Sequence, residues 1–298
     1  MELLRTPETR FADLPDWDLT PRYVEVGDAI RVATYSAGPD DGPVVLLMHG
    51  EPSWSYLYRS LLPVLAVAGM RAVAMDLVGF GQSDKPAQIA DHTYANHVAW
   101  TVEAVLDRLE LHDVTLVCQD WGGLIGLRVL ADAPDRFARV VAANTGLPDG
   151  SVRLPEVWWK FHDFVQRTPD LPIGFLIDGA TLRSLTDEER AAYEAPYPSP
   201  DFQAGPRAMP GLIPQEMDAP GAAENRAAWK VLEGWDKPFL TAFSDSDPIT
   251  RGAERLFQSR VPGARGLAHP TIAGAGHFLQ EDAGPRLADV VVDLIRTT

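Results

Sequence analysis

The chain has 298 residues, 46% of them apolar and 23% charged, the balance of a soluble protein with one large packed core and room for an insertion. Its 26 Lys and Arg against 42 Asp and Glu leave a net charge of −16 with no basic run, which argues against the counterion-release binding that nucleic acids and anionic membranes require. The single cysteine, Cys118, excludes an intramolecular disulfide and the C-x-x-C spacings of zinc or redox sites.

The first residues, MELLRTPETRFADLPDWDLT, are acidic, broken by prolines and without an apolar h-region, and no apolar run approaches the ~20 residues of a spanning helix. The expectation is a soluble cytoplasmic protein. From Tyr23 to Tyr35 apolar residues alternate around Gly27-Asp28, which predicts an antiparallel hairpin at a sheet edge. Val44 to Met48, Arg71 to Leu77, Val114 to Cys118 and Arg139 to Asn144 are short, nearly continuous apolar runs, the mark of strands buried on both faces. Helical patterns lie between them: Tyr56 to Ala68, Tyr94 to Leu111, and Gly122 to Ala133 followed by Pro134. This alternation predicts an α/β fold with a mostly parallel, doubly wound sheet.

The alternation stops at Pro148. Residues 149–235 hold many prolines, tryptophans and tyrosines and helix-like pieces such as Glu156 to Gln166 and Asp187 to Tyr193, but no convincing strand. After Pro238 a strand (FLTAF), a helix around Ile249 to Gln258, a strand near Thr271 and a final helix from Pro285 to Ile295 complete the core. The expected division is a core of residues 1–147 and 238–298 with a helical cap, 148–237, over the carboxyl edge of the sheet.

Ligands of open α/β sheets bind at the carboxyl ends of strands. Four ends carry candidates: His49-Gly50-Glu51-Pro52, Cys118 to Gly123, Ser244 to Pro248, and Gly274 to Phe278. A nucleophile elbow is a sharp strand-to-helix turn that needs small residues two before and two after the nucleophile, and Cys118 and Gly122 fill those places around Asp120. A lone Asp at a strand end is more often a helix cap. Asp247 and His277, at later strand ends, complete the order nucleophile, acid, histidine of a hydrolase triad. Asp245 competes for the acid's place; Asp247, just before Pro248 where the loop turns, is preferred.

An Asp at the elbow changes the permitted chemistry. A free aspartic acid ionises near pH 4, so its carboxylate attacks without a base, and displacement at saturated carbon leaves an ester that can be hydrolysed, where a Ser would leave an inert ether. His277 is then the base that activates water, Asp247 orients it, and the backbone N–H groups of Glu51 and Trp121 form the oxyanion hole. For the leaving group, a halide calls for polarised N–H donors such as the Trp121 indole and a cap tryptophan, Trp158 or Trp159. An epoxide oxygen calls for a cap tyrosine, Tyr193 or Tyr197.

The segments HGEPSWSYLYR (49–59), GFGQSDKP (79–86), CQDWGG (118–123), WWKF (158–161), YEAPYP (193–198), SDPI (246–249) and GAGHFLQED (274–282) together resemble the haloalkane dehalogenases of the α/β-hydrolase superfamily, in the branch whose acid follows the cap. The likeness spans nearly the whole chain after its first twenty or so residues. It implies hydrolysis of a haloalkane by water to alcohol, halide and proton, with Asp120 as nucleophile, His277 as base, Asp247 as acid and Trp121 as one halide donor. Trp159 fits the family's Trp-Lys-aromatic pattern better than its neighbour Trp158 as the other donor. Epoxide hydrolysis by the same triad is the alternative.

No cofactor or metal is expected. In GFGQSDKP, Asp84 and Pro86 stand where a dinucleotide fingerprint needs glycine and a helix start, and the closest histidines, His92 and His97, lie on a polar stretch with no carboxylate cluster. The oligomeric state is open.

Overall fold

Strands that bury both faces need a partner on each side, and the order of the sheet supplies them. In the computed structural model, which describes residues 1–298, a two-residue β1 (Leu3–Leu4) precedes β2 (Arg22–Val26) and β3 (Ile30–Ala37). Then β4 (Val44–Met48), α1 (Leu62–Val67), β5 (Arg71–Met75), a short β6 (Lys85–Pro86), α2 (Tyr94–Val102), β7 (Val114–Gln119), α3 (Trp121–Asp132) and β8 (Phe137–Ala143) follow. Five helices come next without a strand: α4 (Glu156–Arg167), α5 (Ile173–Asp178), α6 (Asp187–Glu194), α7 (Ala204–Leu212) and α8 (Ala222–Leu232). β9 (Phe239–Thr241), β10 (Phe243–Ser244), α9 (Ala253–Arg260), β11 (Thr271–Ile272) and α10 (Leu279–Thr297) close the chain.

The main sheet has seven strands in the order β2-β3-β5-β4-β7-β8-β9. The β2-β3 hairpin sits at the edge and both its ladders are antiparallel, whereas β5, β4, β7, β8 and β9 run parallel. Central β4 and β7 pair with Met48 opposite Cys118, so the His49-Gly50-Glu51 turn and the Asp120 elbow leave the sheet side by side. Backbones approach so closely there that side chains are excluded. A Cβ on Gly50 would lie 2.4 Å from Asp120 Cβ, and one on Gly122 only 2.1 Å from the Met48 carbonyl oxygen.

Several elements differ from their predicted form. The helix predicted over Tyr56 to Ala68 is a 3-10 turn, Ser55–Tyr58, followed by α1, which restarts at Pro63 because proline is at home in a first turn and not in an interior. The helix predicted to run from Tyr94 to Leu111 is α-helical only to Val102 and continues as a π turn, Glu103–Arg108. There Glu103 accepts a hydrogen bond from Gly27 N–H (2.7 Å) and Arg108 donates to the Glu25 carbonyl (2.7 Å). Helix α9 begins at Ala253, not Ile249, because Asp247 takes up the N–H groups of Ile249 and Thr250. Helix α10 begins at Leu279, before the predicted Pro285, and breaks at Ala283. His92 and His97 are buried rather than on a polar face, joined Nδ1 to Nε2 at 3.2 Å.

The first ten residues fasten the insertion to the sheet domain. β1 pairs antiparallel with β6, Arg5 pairs with buried Asp84 (3.0 Å), Thr6 donates to the Pro196 carbonyl (2.6 Å) and Arg10 to that of Ala195 (2.9 Å). Asp84 also pairs with Arg31 (3.2 Å). The aspartate that breaks the fingerprint is thereby a structural anchor.

Gly122→Ala should destabilise the protein by about 2 kcal/mol, the usual cost of overpacking, since its Cβ meets backbone. Gly211→Ala, on an exposed helical site with nothing within 4 Å of the added Cβ, should be neutral or stabilising by up to about 1 kcal/mol. Urea unfolding of the two variants checks the contrast.

Candidate active site

Asp120 takes φ 49° and ψ −126° between β7 and α3, a left-handed conformation that costs a non-glycine residue roughly 1–3 kcal/mol and persists only where its surroundings hold it. They do. Its N–H donates to the Asn144 carbonyl (3.0 Å), and its carbonyl accepts from Gly123 N–H (2.9 Å) and the Thr145 hydroxyl (2.7 Å). The carboxylate stands at the positive end of α3. Its Oδ1 accepts from Glu51 N–H (2.8 Å), while Oδ2 lies 3.6 Å from His277 Nε2. Trp121, the first residue of α3, holds one of the amide groups that a helix start leaves without an intrahelical acceptor.

His277 Nδ1 is 3.1 Å from Asp247 Oδ2. A carboxylate only accepts, so the Nδ1 proton is directed at Asp247. Asp247 further accepts from Ile249 N–H (2.8 Å), Thr250 N–H (3.2 Å) and the Thr250 hydroxyl. Asp245 instead accepts from the N–H groups of Gly274 (3.0 Å) and Ala275 (3.4 Å), which shape the His277 loop. Burial opposes charge on His277, but Asp247 and Asp120 outweigh it and the imidazole is pushed up to about 10. Burial likewise opposes charge on Asp247, and His277 with the Thr250 and Ile249 donors brings its carboxyl down to about 2.

The Glu51 side chain is buried with Oε1 unpartnered. Burial, and then the charge of Asp120, push its carboxyl well above the usual carboxylate range, which favours an uncharged acid beside the elbow. Trp121 is buried edge-on to Tyr94, with ring centroids 5.2 Å apart. Of the adjacent tryptophans of α4, Trp158 stacks on His162 (5.3 Å), whereas the Trp159 indole N–H is buried with no hydrogen-bond partner. The Tyr193 hydroxyl is committed to Glu281. That of Tyr197 is buried and unpartnered, its phenol raised by burial.

Three further groups were not singled out from the sequence. The Asn144 amide donates to the carbonyls of Gly276 and His277 (2.9 Å each) and accepts from Ser244 N–H (2.9 Å), tying the loops of Asp247 and His277 together. The signal was a polar residue closing the apolar run RVVAAN. Gln119, just before the elbow, reaches His277 from below. Arg59, Glu189 and Glu281 form a buried ion cluster, with Arg59 at 2.9 Å from Glu189 and paired to Glu281, and Arg183 pairs with both acids.

Comparison with known proteins supports the same reading. The family model for the alpha/beta hydrolase fold matches residues 43–284. A haloalkane dehalogenase of Psychrobacter cryohalolentis is 50% identical over 99% of this chain and 98% of its own, and one of Mycobacterium marinum 45% identical over 98% and 99%. Among solved structures, the haloalkane dehalogenase DpaA of Paraglaciecola agarilytica NO2, described as tetrameric, superposes with a TM-score of 0.90 at 32% identity, covering 97% of each chain.

Charge pairing around His277 sets a pH window. With its folded-state value raised, the stabilisation that His277 contributes is complete below its unfolded value of about 6.5 and is withdrawn as the pH rises through about 10. That of Asp247, whose value is depressed, is complete above about pH 4 and withdrawn as the pH falls through about 2. Asp247→Asn should therefore cost about 3 kcal/mol near pH 6, as expected for breaking a buried pair, and that cost should shrink toward pH 10. Urea unfolding of both proteins across this range measures it.

Proposed function

The chain belongs to the haloalkane dehalogenases of the α/β-hydrolase superfamily, hydrolases that act on carbon–halogen bonds, and from that premise we propose that Asp120, His277 and Asp247 carry out the reaction beneath a cap of residues 148–237. One line of contacts carries the reading: Glu51 N–H to Asp120 Oδ1, Asp120 Oδ2 facing His277 Nε2, and His277 Nδ1 on Asp247. The core is then residues 1–147 and 238–298. The substrate is a haloalkane, with water as co-substrate and halide as product.

Oδ2 of Asp120, the oxygen not taken up by Glu51, displaces the halide from saturated carbon and forms an alkyl ester. The departing halide is received by indole N–H donors, Trp121 beside the nucleophile and Trp159 in the cap. Trp159 is preferred to Trp158 because its buried N–H has no other partner, and a donor so placed gains a full hydrogen bond when an anion arrives. His277 Nε2 then takes a proton from water, and the oxygen attacks the ester carbonyl carbon. The oxyanion develops on Oδ1, against the N–H groups of Glu51 and Trp121. Collapse returns that proton to the departing alcohol and leaves Asp120 as the acid, whose remaining proton then passes to solvent to restore the carboxylate, so that haloalkane and water yield alcohol, halide and a proton.

The electrostatics suit this order of events. Asp120 is one of the charges that hold the proton on His277, and alkylation removes that charge. With that charge gone, the imidazole releases its second proton to solvent more readily at the step that needs a base.

Bromide release from short bromoalkanes, followed by ion chromatography, should vanish in Asp120→Ala. His277→Ala should retain the first displacement and slow ester hydrolysis by roughly 10²–10⁴-fold, leaving an alkylated protein visible by intact mass. Diol production from epoxides without any halide release would overturn the reading. Trp159→Phe keeps the ring and removes the donor, so bromide affinity should fall about tenfold in a fluorescence titration; unchanged affinity would remove Trp159 from the halide site.

A further inference from the structure

Gln119 is wholly buried at the end of β7, and its side-chain nitrogen lies 3.1 Å from His277 Nε2 and 3.3 Å from the His277 carbonyl oxygen. That carbonyl decides which way the amide is turned. The reverse orientation would set an amide oxygen against a carbonyl oxygen, two acceptors facing one another. With the NH2 group toward the histidine, Gln119 Oε1 is left buried without a partner, so the orientation serves the contact with His277 and not the satisfaction of the amide. Nε2 is within hydrogen-bond distance of this amide and outside it for Asp120 Oδ2 at 3.6 Å.

Building on the catalytic roles proposed above, we infer that Gln119 is a positioning residue for the base, aiming an N–H at His277 Nε2 that favours the imidazole with its only proton on Nδ1 and disfavours a second proton on Nε2. Three acidic groups face this ring from other elements: Asp247 from the loop after β10, Asp120 from the elbow, and Glu51 from the turn after β4. Asp247 and Asp120 both favour the imidazolium. The Gln119 amide is the polar group that opposes them, since an N–H donor and an N⁺–H donor repel one another. Once Asp120 is esterified, the balance at Nε2 lies between Asp247 and Gln119, and the amide tips it toward the unprotonated base.

The two half-reactions separate this role from a structural one. In Gln119→Met, of similar length but without a donor, the first burst of bromide from 1-bromobutane should keep its rate. The acid limb of alkyl-enzyme hydrolysis should move up by about one pH unit, a tenfold slower hydrolysis on the acid side. In Gln119→Glu, where an acceptor replaces the donor, hydrolysis should fall more than a hundredfold and the alkylated protein accumulate. The His277 ring nitrogens, followed by 15N NMR in the resting protein, should lose their Nε2 proton at higher pH in Gln119→Met than in the unaltered chain, whatever the substrate. An unmoved acid limb together with an unmoved NMR titration in Gln119→Met would overturn the inference while leaving the dehalogenase roles intact. Absence of a bromide burst from the unaltered protein would instead count against those roles.

Discussion

One constraint organises the centre of this molecule: at the end of a buried strand the Asp120 carboxylate has one oxygen held by a backbone N–H and the other turned toward His277. The fold surrounds this carboxylate with fixed dipoles. The start of α3 points at Asp120, the Glu51 N–H holds Oδ1, and His277 stands beyond hydrogen-bond distance of Oδ2. The requirement extends into the backbone, since the left-handed conformation at Asp120 exists only because Asn144, Thr145 and the first turn of α3 grip both sides of its peptide.

The helical insertion takes part in this arrangement through main-chain contacts. His277 N–H donates to the Ala180 carbonyl (2.8 Å), and Asp282 accepts from Gly276 N–H (2.8 Å) on one side and from the N–H groups of Leu182 (3.0 Å) and Arg183 (2.8 Å) on the other. The loop that carries the histidine is thus shared between the sheet domain and the insertion. Beside it, the Arg59, Arg183, Glu189 and Glu281 cluster, buried at Arg59 and Glu281, is joined by the Tyr193 hydroxyl. Removing a single member strands a charge, so the junction holds as a unit. The same Glu189 closes the capping box of α6 with Thr186, linking the start of a cap helix to the cluster.

The parallel strands, and the three residues that the structure brings together at the elbow, were legible because both leave local marks. Apolar runs such as Val44 to Met48 cannot sit at an exposed position, and Asp120 closely follows one of them, whereas His277 follows the two-residue β11. That Asp247 and not Asp245 would meet His277 was also within reach, because the residue before Pro248 is where the loop turns. What escaped was set by contacts between distant segments. Nothing near Gln119 in the chain announces that its amide meets a residue 158 positions later, and Asn144 looked like the last residue of a strand until the loops it binds were in place. The helix over Tyr56 to Ala68 was misread for a local reason: Pro63 restarts a helix, and the apolar pattern runs straight through it. Trp158 and Trp159 could not be told apart by periodicity, since both lie on α4; burial of an unpartnered N–H distinguishes them.

The clasp made by the first ten residues has a consequence for biosynthesis. Thr6 and Arg10 find their acceptors in Pro196 and Ala195, separations of 190 and 185 residues. At ribosomal rates of roughly 5–20 residues per second these donors wait on the order of ten to forty seconds for their partners to be made. Closing so long a loop is entropically slow, so the sheet can assemble around β4, β5 and β7 well before the clasp can form. A segment made long before its partners is thus among the last to find its place, and until it does the helical layer lacks its fastening at Ala195 and Pro196.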